Sequence, residues 1–190
     1  MTREDYGRIT GYPEVVNYQL AADAVVLDIG GYLGDWTAAL GNRGRTFIFE
    51  PVREFYEAIE RRFEADSNIT VLNVALSDTT GYDTMIVAKD GSHIADSDWE
   101  IETLDIVEFF KRYAIDKIDL ASINIEGHEY TLVPRILESG LVNKIEHLQI
   151  QFHDKILGAF EGRNAIREQL ALTHTESYCY PFVWESWAKK

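Results

Sequence analysis

The chain has 190 residues, a length that suits one domain with a sizeable core. Its 32 acidic residues against 18 basic ones give a formal net charge of −14. That balance argues against nucleic acid and anionic membrane as partners, because both are held through Lys and Arg. The opening MTREDYGRIT is charged and no window approaches the roughly twenty apolar residues of a membrane span, so neither a secretory signal nor a membrane anchor is expected. A single cysteine, Cys179, excludes an internal disulfide and suits a reducing, cytoplasmic setting.

In chain order, residues 1–23 read as a short N-terminal segment on the substrate side of the core, and residues 24–190 as that core. Five apolar runs bounded by turn residues predict strands: Ala24–Ile29, Thr46–Glu50, Ile69–Leu76, Ile118–Glu126 and Lys144–Phe152. Helical spacing falls between most of them. Phe55, Ile59 and Phe63 lie four apart after Glu50-Pro51, and Leu104, Val107 and Phe110 precede the fourth run. TLVPRILESG follows that run, with Pro134 expected in the first helical turn, where a missing N–H costs little. Ala159–Leu172 supplies a further helix. Gly81–Lys89 reads as an additional strand, DGSHIAD as a polar loop carrying His93, and Thr175–Trp187, split by Pro181, as an antiparallel hairpin. Alternating strands and helices predict an α/β, Rossmann-like sandwich: a mostly parallel seven-stranded sheet closed by an antiparallel C-terminal hairpin. That arrangement is the class I methyltransferase architecture.

The stretch VVLDIGGYLGDW joins the first strand to a glycine loop. A dinucleotide fingerprint, G-x-G-x-x-G, needs a second glycine where this chain has Tyr32. The pattern here is Asp28-x-Gly30-x-x-x-Gly34, with Gly31 beside Gly30. An acid two residues before the first glycine repels a pyrophosphate and suits a cationic amine, such as the α-amino group of S-adenosylmethionine. Glu50, at the end of the second run, is placed to accept ribose hydroxyls in either kind of site. The alternative is a tight turn with Asp35 capping the next helix and no ligand.

Four segments resemble the FkbM-type methyltransferases: DIGGYLGDWT, FIFEPVREFYEAIERRF, NVALSDTTG and TLDIVEFFKRYAIDKIDLASINIEGHE. The resemblance implies a single methyltransferase domain that uses S-adenosylmethionine to methylate hydroxyls of sugars or polyketides. It implies that Asp28, Gly30, Gly31 and Gly34 hold the methionine end of the cofactor; Tyr32, in the same loop, is a further candidate contact. Glu50 would take the ribose, and Asn73, Val74 and Ala75 would lie near the adenine. The chain departs from the family at Ser122 and Asn124, where Lys and Asp are usual, and at Gly31-Tyr32, where Ala-Asn is usual; Asn124 remains a candidate cofactor contact.

A hydroxyl acceptor needs somewhere for its proton to go, and ligands of open α/β sheets lie beyond the carboxyl ends of the strands. Glu126, His128, His153 and Asp154 follow the fourth and fifth runs. His153, expected neutral near pH 7, is the candidate base, with Glu126 and Asp154 beside it. A divalent metal bound by Glu126, His153 and Asp154 is chemically reasonable but not demanded by their spacing. The expected acceptor is a small molecule or glycan, and Trp99 is a candidate stacking platform. Two alternatives remain: a catalytically silent S-adenosylmethionine-binding module of a larger assembly, and a nicotinamide-dependent oxidoreductase.

Overall fold

The computed structural model describes residues 2–41, 44–89 and 93–190, without the side chains of Arg3 and of residues 85–89 and 93–98. Its main sheet has seven strands in the order β3-β2-β1-β7-β8-β10-β9. These are β1 (Val25–Ile29), β2 (Arg45–Phe49), β3 (Ile69–Leu72), β7 (Ile118–Ile123), β8 (Ile145–Ile150), β9 (His174–Tyr180) and β10 (Trp184–Lys189). The first five run parallel, and β10 is antiparallel to both β8 and β9. A separate three-stranded sheet contains β4 (Ala75–Ser77), β6 (His93–Asp105) and β5 (Gly81–Lys89). The α/β sandwich and its closing hairpin are as the sequence predicts, and no helix among the described residues is long and apolar enough to cross a membrane.

Period-two alternation sends the side chains of β1 to two different layers. Leu27 and Ile29 join the larger core under α4 (Ile106–Arg112), α5 (Glu129–Glu138) and α6 (Ala159–Thr173). Val26 joins a second core with Tyr6 of α1 (Arg3–Thr10) and Trp36, Ala39 and Leu40 of α2 (Asp35–Leu40). The stripe read from α3 (Arg53–Phe63) is also present: Ile59 is fully buried, with Phe55 and Phe63 half-buried on either side.

Three boundaries differ from expectation. The run Ile69–Leu76 is two strands, because Asn73 turns the chain out of the main sheet; its amide donates to the carbonyls of Glu50 and Pro51, both at 2.9 Å. Thr103, Leu104 and Asp105 end β6 rather than begin a helix, and the Asp105 carboxylate caps α4 through the Val107 N–H at 2.7 Å. Pro134 lies inside α5, not in its first turn, because that helix starts earlier, at Glu129. His93 opens strand β6 rather than lying on a loop, and Trp99 is likewise a strand residue; Asp90–Ser92 lie outside the described residues.

Candidate functional site

The connection from β1 runs to β2, and the connection from β7 runs to β8 on the opposite side, so the strand order reverses between β1 and β7. Crevices at such reversals, beyond the carboxyl ends of the strands, are where open α/β sheets bind ligands. Asp28 pairs with Ser122 and Ile29 with Ile123 at this point. Beyond them the chains stay close: a Cβ added to Gly30 would stand 1.9 Å from the Asn124 carbonyl oxygen. Gly30 also has φ +90°, so both conformation and space require glycine. Asn124 Oδ1 is buried here without a hydrogen-bond partner.

The stripe of α3 grips the same loop from above. A Cβ on Gly31 would meet Ile48 Cγ2 at 2.3 Å and Ile59 Cδ1 at 3.1 Å, and one on Gly34 would meet the Phe63 ring at 2.7 Å. The Tyr32 ring stands edge-on to Phe55 with 4.6 Å between centroids. Packing therefore accounts for Gly31 and Gly34 whether or not a ligand is bound.

Two carboxylates flank the loop. Asp28 is 3% exposed and accepts the Thr37 hydroxyl at 2.5 Å. Burial pushes it up to about 6, against the opposing effect of that hydrogen bond. Glu50, 5% exposed, accepts the N–H groups of Tyr32 at 2.8 Å and Val52 at 2.9 Å. Burial pushes it up to about 7, with those two amides opposing. Buried carboxylates in this condition favour any partner that brings positive charge or hydroxyl donors. Asn73 stiffens the turn after Glu50, and Val74 is buried in the larger core. Leu72, Asn73 and Val74 line a shallow cleft with Glu102, Leu104, Arg112 and Tyr113, while Ala75 begins β4.

Beyond β7 and β8 a second group of charges forms around a residue that the sequence reading passed over. Glu129 is fully buried, and its carboxylate accepts the Gly127 N–H at 2.9 Å, the His153 N–H at 2.7 Å and His153 Nδ1 at 3.0 Å. The other ring nitrogen, Nε2, lies 3.5 Å from Glu126 Oε1. Burial opposes charge on His153, but the hydrogen bonds of Glu126 and Glu129 outweigh it and push the ring up to about 9. Both carboxylates thus favour the protonated ring over the neutral form expected of a base. Glu126, at φ +54° and with its side chain 72% exposed, is held below its ordinary value chiefly by the hydrogen bond to His153.

Asp154 is exposed and shares no described hydrogen bond or ion pair with Glu126 or His153. Glu126, His153 and Asp154, weighed above as a possible but undemanded metal site, do not converge among the described residues. Among the described residues the convergent group is Glu176, Cys179 and Glu185, and two arginines already occupy it: Arg163 and Arg167 bond both Glu185 and Cys179. His128 is engaged elsewhere, at 2.8 Å from the Ser77 hydroxyl. The signal for Glu129 was present in IEGHE: an acid opening a helix, two residues after a glycine whose N–H needs an acceptor.

No family model matches the sequence, and no characterised protein matches it as a relative. Solved structures do match in shape. An rRNA methylase from Streptococcus thermophilus has a TM-score of 0.57 at 14% identity, over 93% of this chain and 92% of that one. A Streptococcus mutans protein described as a methyltransferase, in complex with SAH, gives 0.55 at 13%, over 93% and 94%. The chain has the methyltransferase fold. A chain of the fibrillarin/Nop5p complex adds a TM-score of 0.56 at 11% identity, covering 96% of this chain and 81% of its own. On this methyltransferase fold the reversal between β1 and β7, with Asp28 and Glu50 on either side of the glycine loop, is the candidate cofactor end. Glu126 and His153 mark the candidate acceptor end.

Proposed function

We propose that the protein is an S-adenosylmethionine-dependent methyltransferase acting on a hydroxyl of a small neutral acceptor, with sugars and glycans the first class to test. The observation that carries this reading is the pair of buried carboxylates, Asp28 and Glu50, at the ends of adjacent strands beside the glycine loop. Asp28 offers a buried negative charge to an amino group. Glu50, fixed by two backbone amides, has lone pairs left for a ribose diol. The unpartnered Asn124 Oδ1 adds an acceptor beside Gly30. These residues fit the methionine and ribose ends of the cofactor, and a pyrophosphate would meet repulsion from Asp28.

When bound, the cofactor supplies a methyl group activated by its cationic sulfur, so alignment and exclusion of water can carry most of the catalysis. What remains for the chain is the acceptor's proton. The exposed Glu126 carboxylate takes that role in this reading: the O–H bond breaks, the electron pair stays on the acceptor oxygen, and the proton passes from Glu126 to solvent. A carboxylate is basic enough, because the oxygen becomes strongly acidic as its new bond to carbon forms. His153, cationic and held by Glu129, orients Glu126.

A second reading, RNA as acceptor, is favoured by two fold neighbours described as rRNA methylases. The net charge of −14 weighs against it. The test is a methyl-transfer screen with labelled S-adenosylmethionine on methyl glycosides, polyols and rRNA oligonucleotides. Label on a glycoside or polyol supports the hydroxyl reading, and label on RNA replaces it with the second. Cofactor binding without transfer to any of them favours the catalytically silent module.

A further inference from the structure

One register step inside the carboxyl ends of the strands, a row of polar side chains crosses the sheet. Asp28 pairs with Ser122, Ser122 with Gln149, Gln149 with Ser186 and Ser186 with Tyr178, so the row spans β1, β7, β8, β10 and β9. Alternation places it on the face of the second core. Val26 and Leu120, two residues before Asp28 and Ser122, and Trp184, two before Ser186, all belong to that core, and Tyr178 packs against it.

The row is deeply buried: Asp28 and Ser122 are each 3% exposed, Ser186 1% and Gln149 0%. Polar groups removed from water are ordinarily hydrogen-bonded, and those left over call for an explanation. The Ser186 hydroxyl has one partner, the Tyr18 hydroxyl at 2.7 Å, and Asp28 has Thr37. Among the described residues Gln149 has none: neither its amide nitrogen nor its amide oxygen meets a partner. A strand position with both neighbours in register would ordinarily hold an apolar residue at no such cost.

We infer that the row from Ser122 through Gln149 to Ser186 is the acceptor-binding site, built for a neutral polyhydroxylated molecule whose hydroxyls pair with the Gln149 amide. The inference rests on the methyltransferase reading for its role, since the row begins at Asp28, the residue assigned to the cofactor. The chemistry of the row sets the class. It presents hydroxyls and an amide, which donate and accept, and no Lys or Arg that would hold a phosphate. Tyr18 stands over it from the N-terminal segment, its ring 5.5 Å from that of His147. A ligand reaches Gln149 when Tyr18 swings away from Ser186, so that segment acts as the cover of the site.

The test uses the full chain with and without saturating S-adenosylhomocysteine. Methyl α-glucopyranoside, methyl α-mannopyranoside and myo-inositol serve as probes, followed by saturation-transfer NMR and calorimetry. At least one probe is expected to bind the wild type, and Gln149→Leu is expected to weaken it by about tenfold or more. The same substitution should raise the melting temperature, because leucine removes an unpartnered buried amide. Ser122→Ala, a milder change, should also weaken the probe. Lost binding together with raised stability is a combination that a purely structural glutamine does not give. No binding by any probe, unchanged binding in Gln149→Leu, or a lowered melting temperature, as expected if a buried water already satisfies the amide, would overturn the inference. Binding of S-adenosylhomocysteine is read in the same cells, so failure of the methyltransferase reading is seen separately.

Discussion

Asp28 does two opposed things, and pH separates them. Its folded value of about 6 lies above the ordinary 3.8, so the stability tied to its protonated form is fully present below pH 3.8 and is lost as pH rises through 6. The loss is about 3 kcal/mol at most, from roughly 1.4 kcal/mol per pH unit. Asp28→Asn should therefore be more stable than the wild type at pH 8, with the difference shrinking towards pH 4 in urea melts. In return the same variant should lose affinity for S-adenosylmethionine, and wild-type affinity should weaken as pH falls below 6. Equal affinity in both proteins would remove Asp28 from the site.

His153 carries the other residue-scale prediction. Its value of about 9 lies above the ordinary 6.5, so its stabilising contribution is complete below pH 6.5 and disappears as pH rises through 9. If the ring orients Glu126 as a cation, methyl transfer should fall across the same window; a neutral His153 acting as base would make it rise. Glu129→Gln removes one of the two charges that hold the proton. An NMR titration of the ring in that variant should find its midpoint well below that of the wild type. The His153→Gln variant assigns the signal among the five histidines.

Among the elements, α3 and the glycine loop form one unit. Gly31→Ala drives a methyl group into Ile48 and Ile59, neither of which has room to retreat in a close-packed layer. A destabilisation of about 1–3 kcal/mol is expected by chemical denaturation, larger than for Gly11→Ala, where strained backbone but no clash is met. The elements also divide by how well the sequence announces them. Strands β1 and β2 are buried on both faces and read as nearly continuous apolar runs, and β7 and β8 keep enough apolar residues among their polar ones to be read as strands. Strand β5 is announced at its observed bounds, Gly81–Lys89, whereas β6 is not, because HIADSDWE alternates no apolar face into the sequence and Trp99 and Glu100 face solvent. The split between β3 and β4 had one marker, Asn73, whose two hydrogen bonds to the turn after Glu50 exist only once the sheet is assembled. The same holds for the site. Asp28 and Glu50 were legible from their places at strand ends, whereas the partnership of Glu129 with His153 and the row through Gln149 depend on register across strands distant in sequence.

For the whole molecule, net charge bears on the choice between the two proposed acceptors. The shape is shared with an rRNA methylase, while the chain carries 32 acidic residues against 18 basic ones. A surface of that sign repels a polyanion over about 10 Å at 0.1 M salt, and more strongly at lower salt. An rRNA oligonucleotide should therefore show no binding at low salt, where a genuine nucleic-acid protein binds best; tight, salt-sensitive binding would reverse the choice of acceptor. Both acceptor readings share one requirement, the proposed cofactor site at the glycine loop after β1. Calorimetric titration of the full chain with S-adenosylmethionine, S-adenosylhomocysteine and NAD at pH 7.5 tests it most directly. The first two are expected to bind and NAD is not, with binding lost in Asp28→Asn and Glu50→Gln; NAD binding alone, or no binding of any of the three, would overturn the proposed cofactor site.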